Sequence, residues 1–182
     1  MGTKRDLYTA EIDLTGGLIT LPRYPFPSKK TRQLGVGDIA AIVDGYPPMI
    51  LTRDNEFLFV TRLQLKPLFA FADVNGIATP ETYDIWADLL EVFLDTEFGF
   101  THHKRSLHRL TAAGLTPVEI KQIRRRVARR MMWRTVASWE WQHYSLMDVL
   151  EVMQPPRFMP QSKWRAFYRR ANDIALLGLP TA

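Results

Sequence analysis

The chain contains no cysteine. That absence removes a disulfide framework, a thiolate metal centre and a cysteine nucleophile together, and it fits a reducing compartment, so a cytoplasmic location is expected. Long apolar runs are missing too. None approaches the ~20 residues that a helix needs to span a bilayer, and no membrane contact is expected. The opening residues, Met1 to Asp6, carry Lys4 and Arg5, but Tyr8-Thr9-Ala10-Glu11-Ile12-Asp13 follows in place of the apolar stretch of a secretory signal. Also absent are GxxxxGK[ST], GxGxxG and GxSxG, the glycine loops and elbows that hold phosphates or expose a serine nucleophile. Gly35-Val36-Gly37-Asp38 lacks a third glycine and reads as a turn into a strand. No internal repeat or low-complexity segment occurs. No cofactor is expected, and a non-enzymatic role is favoured.

What is present is the composition of a packed globule. Of 182 residues, 46% are apolar and 12% aromatic, enough to bury a core in one domain, residues 1–182. Residues 8–14 alternate around Ile12 and Leu14, Gly16-Gly17 interrupts, and residues 18–22 follow, which is a hairpin pattern. Residues 22–37, rich in proline, glycine and basic side chains, read as an exposed loop. Asp38 to Asp44 is a strand candidate. Met49–Thr52 and the Phe57–Val60 run flank Arg53-Asp54-Asn55-Glu56 as a second hairpin.

From Leu63 the periodicity becomes helical. Residues 63–76 end at Asn75-Gly76, a left-handed stop, with Pro67 in the first turn. Thr79-Pro80-Glu81 signals a helix start, after which Trp86, Leu89, Leu90 and Phe93 share a face to about residue 98. Thr101 opens a helix over 102–112 that Gly114 ends, and Thr116-Pro117-Val118-Glu119 is a capping box for a helix to about Ser138. Ser145 and Ser162 cap two more, over 146–153 and 163–176. The expected class is α+β: a small, mostly antiparallel N-terminal sheet over residues 1–62, then about five amphipathic helices over 63–182.

The charge map carries the functional expectation. Residues 72–97 hold seven acids and no Lys or Arg, whereas 104–134 hold ten bases against Glu119 alone. At roughly 100° per residue, Ile120, Ile123, Val127 and Met131 form one stripe of the 117–138 helix. Lys121, Arg125, Arg126, Arg129 and Arg130 occupy the other side, with Trp133 among them. Guanidinium forks match phosphates and aromatic faces stack on bases, so this pattern points to DNA or RNA as partner. The last helix adds Lys163, Arg165, Arg169 and Arg170.

A second reading uses the same charges differently. The acidic 80–97 segment can neutralise the basic helix within the fold, or either can meet a partner protein, making the chain an interaction or regulatory module. The 101–134 segment also has a helix-turn-helix outline, with the arginines on its second helix, though any helical hairpin with a glycine turn shares it. As metal ligands, Asp95, Glu97, His102 and His103 are clustered, but neighbours at those spacings point to different sides, so a polar connector is expected and no metal. Asp44, Asp54 and Lys66 resemble a nuclease constellation no more than ordinary turn residues.

Overall fold

The computed structural model describes residues 12–14, 17–21, 31–93, 100–138, 144–154 and 161–180. The chain divides into two compact units, Met1–Thr82 with Leu179–Ala182, and Tyr83–Gly178.

The first unit holds every strand among the described residues. β1 (Leu18–Leu21) pairs antiparallel with β2 (Arg32–Gly35), Leu18 opposite Gly35 and Leu21 opposite Arg32. β3 (Ile39–Val43), β4 (Met49–Thr52) and β5 (Phe57–Phe59) form a three-stranded antiparallel sheet in sequence order. Its residues are almost all buried, Ile42, Ile50 and Leu58 completely. Asn55, at φ 61°, turns the β4–β5 hairpin as the Arg53–Glu56 sequence implies. The expected loop over 22–37 is corrected at its far end, where 32–35 is a strand. It was hidden because β2 buries only Leu34 and so has no alternating apolar pattern. Of the expected first strand, residues 8–11 lie outside the described residues, while Asp13 bridges to Thr20.

α1 (Leu65–Asn75) buries Leu68 and Ala72 and stops at Gly76, whose φ of 65° frees its N–H to reach the carbonyls of Ala72 and Asp73. The segment after it does not begin a helix at Thr79-Pro80. The chain stays extended there, Ala78 bridging to Ala41 and accepting from the Ile42 N–H at 2.9 Å.

The second unit is helical. α2 (Ile85–Leu90) starts at Asp84, whose Oδ1 accepts from the Ala87 N–H at 3.0 Å. α3 (Phe100–Ala112) ends at Gly114, φ 98°, and the Leu115 N–H returns to the Leu110 carbonyl with both leucines buried, a Schellman close. Thr116 and Glu119 form the expected reciprocal cap on α4 (Pro117–Ser138), Thr116 N–H to Glu119 Oε2 at 3.0 Å and Glu119 N–H to Thr116 Oγ1 at 3.3 Å. α5 (Leu146–Met153) follows Ser145, whose N–H donates to the buried Asp148 carboxylate at 2.9 Å. α6 (Gln161–Leu176) includes Ser162 inside its first turn rather than as its cap. The architecture is α+β, with six α-helices after the sheets among the described residues. No helix among the described residues is long and apolar enough to cross a membrane.

Candidate functional site

The apolar stripe of α4 faces inward as the periodicity requires. Ile120, Val127 and Met131 are buried, and Ile123 is half-buried. Trp86 of α2 joins the same unit, its indole N–H donating to the Ala171 carbonyl of α6 at 3.0 Å.

The five cations named from the sequence divide by what they touch. Lys121, Arg125 and Arg129 are exposed and have no carboxylate partner among the described residues. Arg126 lays its guanidinium over the Phe167 ring of α6, 5.2 Å from the centroid. Arg130 turns toward the end of α5, donating to the Val152 carbonyl at 3.2 Å and to that of Gln154 at 3.4 Å. Those carbonyls belong to a helix C-terminus, where a cation is favoured. Trp133 is 73% exposed, and Met132 at 59% and Val118 at 64% lie along the same outer side.

Arg124 was outside the expected set and has the most internal role. It donates from Nε to the Leu89 carbonyl at 3.1 Å and from Nη2 to the Asp88 carbonyl at 3.0 Å, closing the C-terminal end of α2. Burial pushes its guanidinium below the ordinary value, with Glu91 and Asp88 opposing. A sequence signal for this exists. Arg124 stands four residues after Ile120, three before Val127 and seven before Met131, inside the apolar stripe.

Among the described residues, the acidic segment forms a salt bridge with the basic ones at Asp88. Asp88, 7% exposed, accepts from Arg109 of α3 twice, Nη2 at 2.6 Å and Nε at 2.7 Å, and from the Tyr83 hydroxyl. Burial first, and then the Asp88 carboxylate, raise the Tyr83 hydroxyl above its ordinary range. The same carboxylate hydrogen-bonds Arg109 and raises that guanidinium. Asp88 is thus satisfied by α3 and not by the side chains of α4. Glu119 lies beside Arg170 of α6 at 3.7 Å.

Between α4 and α6 lies a groove of about 150 Å³, walled by Ile123, Val127, Phe167 and Ile174 above Trp86. Two cross-links, Glu119 with Arg170 and Arg126 with Phe167, advance along α4 while receding along α6, so the helices run antiparallel past it. Lys163, Arg165 and Arg169 are exposed on α6.

The other candidates fare separately. Asp95 and Glu97 lie outside the described residues, as do the side chains of His102 and His103. Asp44 is held by Arg62 at 3.0 Å, Asp54 is exposed in the β4–β5 turn and Lys66 is exposed on α1. Among the described residues no group of three metal-capable side chains converges. The α3–turn–α4 outline is present, with Val118, Lys121 and Gln122 exposed at the start of its second helix. Comparison with family models, curated proteins and solved structures finds no significant match to this chain.

Proposed function

We propose that the protein is a nucleic-acid-binding accessory protein, with the outer side of α4 as its contact surface. The observation that carries this reading is that Lys121, Arg125 and Arg129 share an exposed side with Trp133 and have no carboxylate partners among the described residues. The cations that make contacts inside the fold, Arg109, Arg124, Arg126 and Arg130, are different ones. Charge distribution supports it further. Residues 83–178 hold fifteen Lys and Arg against ten Asp and Glu, whereas the remainder holds nine of each, so the whole +5 resides in the helical unit. A concentrated positive surface attracts a polyanion, and arginine adds bidentate phosphate contacts. Binding without chemistry, in the cytoplasm, completes the reading.

A second reading, a protein-interaction module, is favoured by the exposed Val118 and Met132, apolar groups suited to an acidic amphipathic partner. Fluorescence anisotropy with labelled single- and double-stranded DNA and RNA separates the two. Salt-sensitive binding by the parent, weakened in the Arg125→Gln, Arg129→Gln double variant at unchanged melting temperature, supports nucleic acid. No binding even at low salt eliminates it and leaves the protein partner.

A further inference from the structure

Building on the nucleic-acid reading above, we propose that the α4–α6 groove receives one unpaired base, making single-stranded nucleic acid the preferred ligand. A volume of about 150 Å³ suits one planar six-membered ring, since an apolar protein cavity of ~150 Å³ takes up benzene. Its walls are apolar, but its rim is not. Arg126, Gln122, Arg170 and Glu119 border the opening, and two guanidinium groups against one carboxylate favour an anionic group there over an uncharged guest. A ring tethered to a phosphodiester satisfies both surfaces.

Each rim residue has matching chemistry. Arg126 is exposed with its guanidinium carbon 5.2 Å from the Phe167 ring centroid, so its N–H groups can also reach a phosphate. Gln122 is exposed and offers an amide donor and acceptor to a base edge. Arg170 stands 3.7 Å from Glu119, with both side chains substantially exposed, a pairing weak enough to exchange for a phosphate. Arg129 and Arg125, on the adjoining exposed side, can take the phosphates of neighbouring nucleotides. A duplex cannot offer a base to the groove without first unstacking it, at a cost of a few kcal/mol.

The test compares a thymidine oligomer with an abasic oligomer of equal length and charge, and with the corresponding duplex. Burying apolar surface is worth ~25 cal/mol per Å², so on the order of 40 Å² of contact in the groove gives ~1 kcal/mol, and the thymidine oligomer is expected to bind roughly 5-fold more tightly than the abasic one. Ile123→Phe, which places a ring in the groove, should erase that difference while leaving abasic affinity in place. On the parent protein, the Trp86 indole N–H resonance should move with thymidine monophosphate and stay still with inorganic phosphate. Equal, salt-dependent affinity for both oligomers would overturn the groove proposal and leave the phosphate-binding surface intact. A base preference that survives Ile123→Phe but is lost in Trp133→Ala would overturn it too, moving the base to Trp133. Failure of every oligomer to bind at low salt would instead remove the nucleic-acid reading itself.

Discussion

Arg124 and Arg125 are consecutive in sequence and serve opposite sides of α4: Arg124 donates to two carbonyls at the end of α2, while Arg125 is exposed with no carboxylate partner among the described residues. A helix turns roughly 100° per residue, so one step crosses from the inner flank to the outer side. The pair therefore separates stability from binding. Arg124→Gln is expected to lower stability by about 1–3 kcal/mol, the value of charge-assisted hydrogen bonds whose acceptors are left without their donor. Arg125→Gln should stay within ~0.5 kcal/mol of the parent. Urea denaturation of the two variants measures the contrast.

Asp88 and Arg109 should be coupled. Asp88→Asn removes the charge from a buried carboxylate that answers both Arg109 and Tyr83, at an expected cost of about 1–3 kcal/mol, moderated because Arg109 is half-exposed to water. A double-mutant cycle with Arg109→Gln should return a coupling of ~0.5–3 kcal/mol. Additive losses would mean that the pair contributes nothing beyond its separate residues.

Gly178 closes the helical unit by close approach. Its carbonyl accepts from the Tyr83 N–H at 2.9 Å, and a Cβ built on it would overlap the Tyr83 carbonyl oxygen. Gly178→Ala should therefore cost about 1–3 kcal/mol through forced displacement of backbone. Thermal denaturation by circular dichroism reads this directly.

Glu119 gives a pH signature. Hydrogen bonds from the backbone and then the hydroxyl of Thr116 hold its carboxyl below the ordinary 4.5, with Arg170 adding to them. A depressed folded-state value means its stabilising contribution is complete above the ordinary glutamate range and is lost as pH falls through the lower folded value. Carbon-detected NMR titration should find Glu119 titrating below 4.5 in the parent and moving upward in Thr116→Ala.

Much of this architecture could be read from the sequence because local chemistry agreed with the fold. The change from alternating to helical periodicity near Leu63, the left-handed Gly76 and Gly114, and the Thr116–Glu119 cap are all local devices that packing left in place. Failures arose where distant partners decided. Thr79-Pro80 has the chemistry of a helix start, but the bridge from Ala78 to Ala41 keeps the adjacent chain extended and Asp84 supplies the cap. β2 is set by pairing with β1 and not by its own pattern. Of the candidate site, periodicity placed Lys121, Arg125, Arg129 and Trp133 on the exposed side, while the contacts of Arg124, Arg126 and Arg130 and the Phe167 side of the groove depend on which helices neighbour α4.

If the outer cations of α4 bind phosphates, the salt dependence of affinity reports how many they hold. Each phosphate that a variant no longer neutralises should flatten the slope of log affinity against log salt by ~0.7 for a single strand and ~0.9 for a duplex. The slope of the Arg125→Gln, Arg129→Gln variant should thus be shallower than the parent's by about 1.4–1.8, with similar weakening across unrelated sequences and the parent's melting temperature. A parent slope near zero, or a variant slope equal to the parent's, would mean that these cations hold no phosphates.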